Sequence, residues 1–285
     1  MPAAALTRLP LFERLGPDEP TSPLVCAVPH AGRYYPPTLV AASAVPLHLL
    51  EQLEDRHADL LIEGAVERGA VAIVARIARA CIDLNRGEED LHPALRDPPG
   101  SGGAASARAR SGLGLLPDRL GKRHLWQVLP SPAAASARLE LIHEPYPAAI
   151  ADALAAASAR FGCAVLIDCH SMPPLPGTRA ARVVIGDKHG RSAGKGVAAD
   201  MARIARALGY PTALNAPYAG AYGLVRHGRP ADNVHALQIE IDRTLYLERD
   251  MRSLSPGLAD AQKLVASLAA AALNAIQSPS AIAAE

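Results

Sequence analysis

The sequence predicts an α/β protein with three layers, α/β/α, in which helices cover both faces of a mixed, mostly parallel sheet. Short apolar runs of β type alternate along the chain with longer Ala- and Leu-rich segments. The segments between strands have the length of about 10–15 residues that is typical of helical crossovers. Of the 285 residues, 49% are hydrophobic and 20% are charged, a composition that excludes disorder as the main state.

The individual elements follow from the spacing of apolar residues and from the residues that bound them. The first strand, Leu24–Val28, is an apolar run with proline on both sides. The first long helix, 59–69, has apolar residues at helical spacing and closes at Gly69. Helices 147–161 and 194–208 are each followed directly by glycine. The remaining predicted elements are strands 71–74, 81–84, 164–167, 182–185 and 236–241 and a C-terminal helix over 255–276.

One stretch interrupts this pattern. Residues 87–116 are rich in Gly, Pro, Ala, Ser and Arg and include the run PPGSGGAAS. A structureless segment of this length is either a functional lid or a flexible insertion. Residues 278–285 are predicted to form a flexible tail. Because α/β folds of this length often form one unit, we expect a single domain over residues 1–285.

The charge balance argues against two classes of partner. There are 29 Lys and Arg against 28 Asp and Glu, whereas surfaces for nucleic acid or anionic membranes need clustered positive charge. No apolar run approaches the roughly 20 residues of a membrane span, and the N-terminus lacks the features of a signal peptide. The four cysteines form no C-x-x-C pair and lie in or beside apolar runs. This pattern indicates reduced, structural thiols and a cytoplasmic location.

Two histidines directly follow predicted strands, at the sheet edge where α/β proteins bind ligands. His30 follows the first strand, and His170 follows the strand that ends at residue 167. Two imidazoles at one edge can bind a divalent metal, most often zinc, which usually takes a carboxylate as well. Asp55, Asp59 and His57 could supply that ligand, although a helix N-cap would explain either aspartate alone. A structural histidine is likewise an alternative for His30 alone.

A second group of polar residues favours recognition of a carboxylate. Asn85 and Arg86 follow the predicted strand 81–84, and arginine binds carboxylates through a planar fork of donors. A salt bridge from Arg86 to Glu88 or Glu89 is the alternative. The same predicted strand contains Asp83, which would be costly to bury without a partner.

The last predicted strand carries an acidic candidate for proton transfer. In strict alternation, Glu240 shares a face with Gln238 and Asp242. A carboxylate beside a metal can act as a general base and then as a general acid. An outward, polar face of an edge strand explains the same pattern, and the strand alone does not separate the two interpretations.

The segment 215–228, which precedes that strand, is rich in Gly, Tyr and Pro. It includes Tyr218 and Arg226, side chains that make substrate contacts at low entropic cost. A loop that covers substrate and an ordinary connection both fit this composition. The sequence contains no Walker A loop, no G-x-G-x-x-G after a strand and no G-x-S-x-G elbow.

Together these segments resemble the N-formylglutamate amidohydrolase family. The resemblance extends over about residues 24–250 and rests on the order of nine segments, none of which is decisive alone. They are VPHAGRYYP (28–36), EDRHAD (54–59), DLNR (83–86), GLGLLP (112–117), HEPY (143–146), DCHSMP (168–173), GDKHG (186–190), NAPY (215–218) and QIEIDRTLY (238–246).

The family is similar to zinc carboxypeptidases and to aspartoacylase-type amidohydrolases, which implies a hydrolase-like three-layer fold. The resemblance implies that His30 and His170 bind one zinc ion, or another divalent metal. It also implies that Asn85 and Arg86 hold a substrate carboxylate and that Glu240 is the general base.

One departure from the peptidase pattern concerns the metal carboxylate. The peptidase relatives take it from His-x-x-Glu, and this chain has Arg33 at that position. The third ligand must therefore come from elsewhere, with Asp55 as first choice and Asp59 as second. Arg33 is then expected to stabilise an oxyanion or to bind a second substrate carboxylate.

The implied activity is zinc-dependent hydrolysis of N-formyl-L-glutamate to formate and L-glutamate, a late step of histidine degradation. Arg226 and Tyr218 are expected to contact this small-molecule substrate, and His143 and His227 are either supporting or purely structural histidines. Two alternatives stay open: an amidohydrolase for another N-acyl amino acid, and a non-catalytic protein that binds dicarboxylic amino acids. No oligomeric state is predicted.

Overall fold

The computed structural model describes residues 11–100 and 103–277. The strands are β1 (Phe12–Leu15), β2 (Leu24–Val28), β3 (Val71–Ala75), β4 (Arg119–Leu120), β5 (Arg123–His124), β6 (Ala164–Met172), β7 (Val183–Gly186), β8 (Thr212–Leu214) and β9 (Val234–Asp242). The α-helices are α1 (Pro37–Ala41), α2 (Leu47–Leu50), α3 (Ala58–Leu61), α4 (Glu63–Val66), α5 (Ala107–Arg110), α6 (Pro132–Arg138), α7 (Pro145–Phe161), α8 (Val197–Ala207), α9 (Tyr222–His227) and α10 (Leu258–Gln277).

In the described chain the main sheet has the strand order β1-β3-β2-β6-β9-β7-β8. β6 pairs in parallel with β2 on one side and with β9 on the other. β7 runs antiparallel to β9 and parallel to β8. The predicted α/β fold with a mixed, mostly parallel sheet is therefore confirmed.

The interior strands of this sheet are fully buried. Every residue of β2, β3, β6, β7 and β9 is buried, and strands covered on both faces are usually continuous apolar runs. β6 (AVLIDCHSM) and β9 (VHALQIEID) differ because they carry acidic, amide and imidazole side chains among the apolar ones. Such groups are costly to bury without partners, so these two strands mark the region where function is expected.

The larger of two compact units contains residues 14–28, 57–73 and the described chain from residue 150 onwards. In it, α10 packs against α8, and α8 contacts β7 and β8. α10 also contacts α3 and α4, while α9 contacts β6 and β9. The helix α9 thus lies on the two strands that carry the buried polar residues.

The second compact unit contains, within the described chain, residues 11–13, 29–56 and 74–149. A small apolar core forms where Leu50 and Leu53 meet Ala80 and Leu125, with Trp126 packed against it. This unit also contains the two-residue antiparallel pair of β4 and β5. The expectation of a single domain over residues 1–285 stays a prediction.

The predicted strand 81–84 is wrong, because these residues form a buried turn. The backbone N–H of Asp83 donates to the carbonyl of Leu115 at 2.8 Å. The Asp83 carboxylate in turn accepts a hydrogen bond from the N–H of Asn85 at 2.9 Å. A side chain that bonds the backbone two residues later favours a turn over an extended strand.

Two further differences concern a predicted helix and a predicted strand near the candidate site residues. The helix predicted over 59–69 is interrupted at Ile62, where α3 ends before α4 begins. The strand predicted over 164–167 continues to Met172, because its register with β9 extends to that residue. Asp168 and His170 consequently lie within the strand and not after it.

Residues 87–116, predicted to be structureless, contain two 3₁₀ turns and α5 within their described part. The Ser106 hydroxyl caps α5 by accepting from Ala109 N–H, and it donates to Asp90 at 2.7 Å. A lid role for this stretch stays a prediction. The predicted tail 278–285 lies outside the described residues. Among the helices described, none is long and apolar enough to cross a membrane.

Candidate functional site

Three predicted metal ligands come together in the structure. His30, Asp55 and His170 each offer one ligand atom, and these atoms lie within 4.8 Å of one another. Nδ1 of His30 is 3.3 Å from Oδ2 of Asp55, and all three side chains are buried. Two imidazoles and one carboxylate form a donor set typical of a catalytic zinc site, so these residues could hold a divalent metal.

Local structure places each member of this group. His30 lies two residues beyond β2, and its carbonyl accepts a hydrogen bond from the N–H of Asp55 at 2.9 Å. On the next strand of the sheet, β6, Asp168 is the register partner of Ala27. His170 follows two residues later on the same face of β6.

The imidazole of His30 has a second carboxylate partner, Asp83, which is fully buried. Nε2 of His30 is 2.7 Å from Oδ1 of Asp83, and Oδ2 accepts from Nε and Nη2 of Arg79 at 2.8 and 2.7 Å. Burial opposes ionisation of Asp83, but the charges of Arg79 and Arg86, together with the hydrogen bond to His30, hold its pKa well below the ordinary value. A charged carboxylate that fixes the ring of a ligating histidine is a common supporting group in metal sites.

His170 also has an acidic neighbour. Its Nε2 is 3.2 Å from Oδ1 of Asp168, which lies two residues earlier on β6. His227, on α9, is buried, and Asp168 acts on its charge from nearby. Burial and the charge of Arg226 lower the pKa of His227 to about 4, although Asp168 acts in the opposite direction. His227 is therefore neutral at physiological pH.

Glu240 lies on β9 as the register partner of His170. The alternative of an edge strand is wrong, because β9 lies between β6 and β7. Nε2 of Gln238 donates to Oε1 of Glu240 at 2.9 Å, and both side chains are buried. A buried carboxylate that is oriented by an amide and lies opposite His170 can exchange protons with a reacting group.

Asn85 and Arg86 lie beside Asp83. The guanidinium of Arg86 donates from Nη1 to the Asn85 carbonyl at 2.9 Å and from Nε to the Leu113 carbonyl at 3.3 Å. Burial lowers the pKa of Arg86, and Asp83, 3.8 Å away, opposes this effect. Within the described residues its ion pair is with Asp83 and not with a glutamate of the following loop. A role in binding substrate carboxylate stays a prediction.

A model of the N-formylglutamate amidohydrolase family matches residues 22–247. The chain belongs to the N-formylglutamate amidohydrolase family. It is accordingly a hydrolase that acts on an amide.

Two curated relatives of this amidohydrolase are N-formylglutamate deformylases. That of Pseudomonas aeruginosa is 30% identical over 235 residues, which are 79% of this chain and 82% of the relative. That of Pseudomonas putida is 30% identical over 239 residues, with the same coverage of each chain.

Solved structures agree with the fold of this amidohydrolase. The crystal structure of N-formylglutamate amidohydrolase from Ralstonia eutropha JMP134 matches with a TM-score of 0.85 and 30% identity, covering 94% of this chain and 99% of that chain. A gene product of Agrobacterium tumefaciens matches with a TM-score of 0.66 and 17% identity, covering 94% of this chain and 96% of that chain. The second likeness shows the fold alone.

Other predicted residues of the amidohydrolase lie outside the three-ligand group. Asp59, the second choice for the third ligand, is buried in the first turn of α3 and is not a member of the group that the described residues form. Arg33 and Arg226 are exposed, and Tyr218 is half-buried. The loop predicted over 215–228 is wrong from Tyr222 to His227, which form α9.

A glycine fixes part of that segment against the sheet. Gly186 of β7 is the register partner of Gln238 and so lies on the face that carries Glu240. A Cβ atom at Gly186 would lie 2.7 Å from the Ala219 carbonyl carbon and 2.8 Å from Gly220 N. The backbone after Tyr218 therefore packs directly on this face, at a point where only glycine leaves room.

Three buried neighbours of predicted site residues were not predicted from sequence: Asp83 beside His30, Asp168 beside His170 and Gln238 beside Glu240. Asp83 carried one signal, because an acidic residue in an apolar run requires a buried partner. For Asp168 and Gln238 the signal was their spacing. Each lies two residues before a predicted site residue on the same strand, so its side chain is on the same face as that residue.

Proposed function

We propose that this amidohydrolase is a zinc-dependent N-formylglutamate deformylase, which hydrolyses N-formyl-L-glutamate to formate and L-glutamate. The observation that carries the proposal is the approach of ligand atoms from His30, Asp55 and His170 to within 4.8 Å, with Glu240 opposite His170 on the neighbouring strand. The names of the Pseudomonas relatives support the choice of substrate.

Zinc is the metal that this donor set favours. Imidazole and carboxylate ligands suit a borderline-soft ion, and three protein ligands are typical of catalytic zinc sites. His30, Asp55 and His170 would hold the ion, and Asp83 would fix the ring of His30. When bound, zinc supplies Lewis-acid polarisation of an amide carbonyl and makes water more acidic.

Glu240 is the proposed general base. It would accept a proton from the attacking water and pass it to the departing amine of glutamate. The hydrogen bond from Gln238 fixes Oε1 of Glu240 and with it the direction of the carboxylate. Arg33 is proposed to stabilise the oxyanion, a contribution of about 3–4 kcal/mol for a well-placed donor.

Charged and polar side chains are proposed to select the two carboxylates of the substrate. Arg86, supported by Asn85, would supply a planar fork for one of them. Arg226 and Tyr218, on the segment before β9, would contact the other parts of the glutamyl group. We place the reaction in histidine degradation in the cytoplasm, in keeping with cysteines that are buried and free.

The test combines metal analysis with product detection on the purified full-length protein. We expect about one zinc per chain and formate release from N-formyl-L-glutamate that exceeds hydrolysis of N-acetyl- and N-succinyl-glutamate and -aspartate. Glu240→Gln should retain zinc and lose turnover by a factor of 10² or more. Asp242→Asn is the matched control, because it neutralises a buried carboxylate on the same strand whose partners are Arg182 and Thr244.

Each contrary outcome points to a different conclusion. Preference for an acetyl or succinyl substrate would identify an amidohydrolase for another N-acyl amino acid. Binding of the amino acid without zinc and without formate would indicate a binding protein. Full activity of Glu240→Gln would remove Glu240 from the role of base.

A further inference from the structure

A cavity lies in the larger compact unit, between the loop after β7 and the helix α9. Its volume is about 300 Å³, which is in the range of pockets for small molecules. It shares no residue with the metal group or with the proposed catalytic and substrate-binding residues. Its lining is Lys188, Arg191, Ser192, Leu224, Val225 and Gly228.

The loop that carries the two cations is held in an uncommon backbone conformation. Lys188, His189 and Gly190 all have positive φ, at 55°, 57° and 81°. Residues other than glycine adopt this region only when their surroundings enforce it. Here Oδ1 of Asn215 accepts hydrogen bonds from the N–H groups of Asp187 and His189 at 3.0 and 3.2 Å. The backbone of the loop that carries Lys188 and Arg191 is therefore held in place before any ligand arrives.

The charge of this wall is positive. Within the described chain, Arg191 uses one side-chain donor, Nε, on the carbonyl of Lys188 at 3.0 Å. Its two terminal nitrogens keep the geometry that binds a carboxylate in bidentate fashion. The acidic side chain of the same loop, Asp187, is engaged by Gly190 N–H at 2.9 Å and by Nδ2 of Asn215 at 2.8 Å.

The opposite wall presents apolar surface through Val225, which is 65% exposed at the rim. Leu224 also belongs to this wall but is fully buried. The floor is closed where Gly228 meets Ser192, because a Cβ atom at Gly228 would lie 2.7 Å from Cβ of Ser192. The Ser192 hydroxyl donates its hydrogen bond to the Ala236 carbonyl at 2.8 Å. We therefore do not expect it to donate to a ligand.

We propose that this cavity binds a small organic dicarboxylate at a site separate from the metal group. Lys188 and Arg191 supply two cations for two carboxylates, and the exposed side chain of Val225 supplies apolar surface for the carbon chain between them. A bare inorganic anion would leave that wall and most of the 300 Å³ volume unused. The inference does not depend on the proposed reaction, because it rests on a different set of residues.

The test uses a thiol introduced at the rim of the cavity in the full-length protein. The natural cysteines are all buried, so Val225→Cys supplies an accessible thiol whose alkylation by neutral iodoacetamide can be timed by mass spectrometry. We expect millimolar glutarate, which has no amide to hydrolyse, to slow this alkylation several-fold. Adding Arg191→Gln should abolish the protection, and inorganic phosphate should protect less than glutarate.

A second thiol variant provides the control. Leu208→Cys places the thiol just beyond α8 at a residue that is 50% exposed and does not line the cavity. Glutarate should leave its alkylation rate unchanged. The proposal is overturned if glutarate does not protect Val225→Cys, if Arg191→Gln leaves the protection intact, or if phosphate alone protects. Formate release by the Arg191→Gln single variant should equal that of the wild type, which separates this site from the proposed reaction.

Discussion

Nε2 of His30 lies 2.7 Å from Oδ1 of Asp83. Asp83 belongs to a turn, and its side chain is fully buried. Because Asp83 is held ionised by its neighbouring cations, it favours a proton on Nε2 of the imidazole. The lone pair is then on Nδ1, the nitrogen that lies 3.3 Å from Asp55. The turn thus prepares His30 to act as a neutral metal ligand.

Removal of the charge on this carboxylate should weaken the metal site. In Asp83→Asn the amide keeps the shape of the side chain but no longer fixes the His30 ring as strongly. We expect zinc affinity, measured with a competing chelator, to fall by about 10–100-fold, with a parallel loss of formate release. Asp90→Asn is the control, since Asp90 is also buried but bonds Ser106. Unchanged zinc affinity in Asp83→Asn would show that Asp83 only stabilises the turn.

A conservative change at Arg86 should act on substrate binding. Lysine keeps the charge but loses the planar fork, together with the hydrogen bonds to the carbonyls of Asn85 and Leu113. For Arg86→Lys we expect KM for N-formylglutamate to rise about 10–100-fold with a smaller change in kcat. Arg96→Lys is the control, because Arg96 also donates to a backbone carbonyl, that of Glu88. An unaltered KM would place the substrate carboxylate elsewhere.

The packing at Gly186 predicts a third effect. In Gly186→Ala the new methyl group would meet the backbone of Ala219 and Gly220, so the segment that follows Tyr218 must move. We expect a loss of about 1–3 kcal/mol in the free energy of unfolding, measured with urea, and a higher KM. Gly64→Ala in α4 is the control, where the nearest atoms are side-chain atoms at 3.2 Å. Wild-type KM and stability in Gly186→Ala would contradict this account.

The sequence predicts β2 to the residue, because an apolar run between two prolines has little freedom in its bounds. It does not predict the full length of β6, because periodicity alone does not reveal that Asp168 and His170 are buried against neighbouring strands. The strand predicted at Asp83 failed for a related reason: a carboxylate in an apolar run looks like part of a strand until its hydrogen bond to the Asn85 backbone is known.

At the candidate site, too, some features were predictable from sequence and others depend on contacts between distant residues. The proximity of His30 and His170 was predictable because each lies within three residues of the end of an apolar run. The parallel register of β2 and β6 then brings their segments to one edge. The acidic partners were not predictable with the same ease. Asp55 could equally have been a helix N-cap, and the Asp83 contact joins residues 53 positions apart through a turn that no spacing rule describes.

The buried histidine on α9 predicts how stability depends on pH. The pKa of His227 is about 4 in the folded chain against an ordinary value of 6.5, chiefly because of burial. Between pH 4 and pH 6.5 the imidazole binds a proton in the unfolded chain but not in the folded chain. The contribution of His227 to the free energy of unfolding is therefore fully present above pH 6.5 and is lost as the pH falls towards 4. Protonation of His227 alone should lower the free energy of unfolding by about 2 kcal/mol between pH 7 and pH 5, measured by urea unfolding. His227→Gln should lose that share of the pH dependence, whereas His124→Gln, at an exposed residue, should retain it. Equal slopes in all three proteins would exclude His227 as the source.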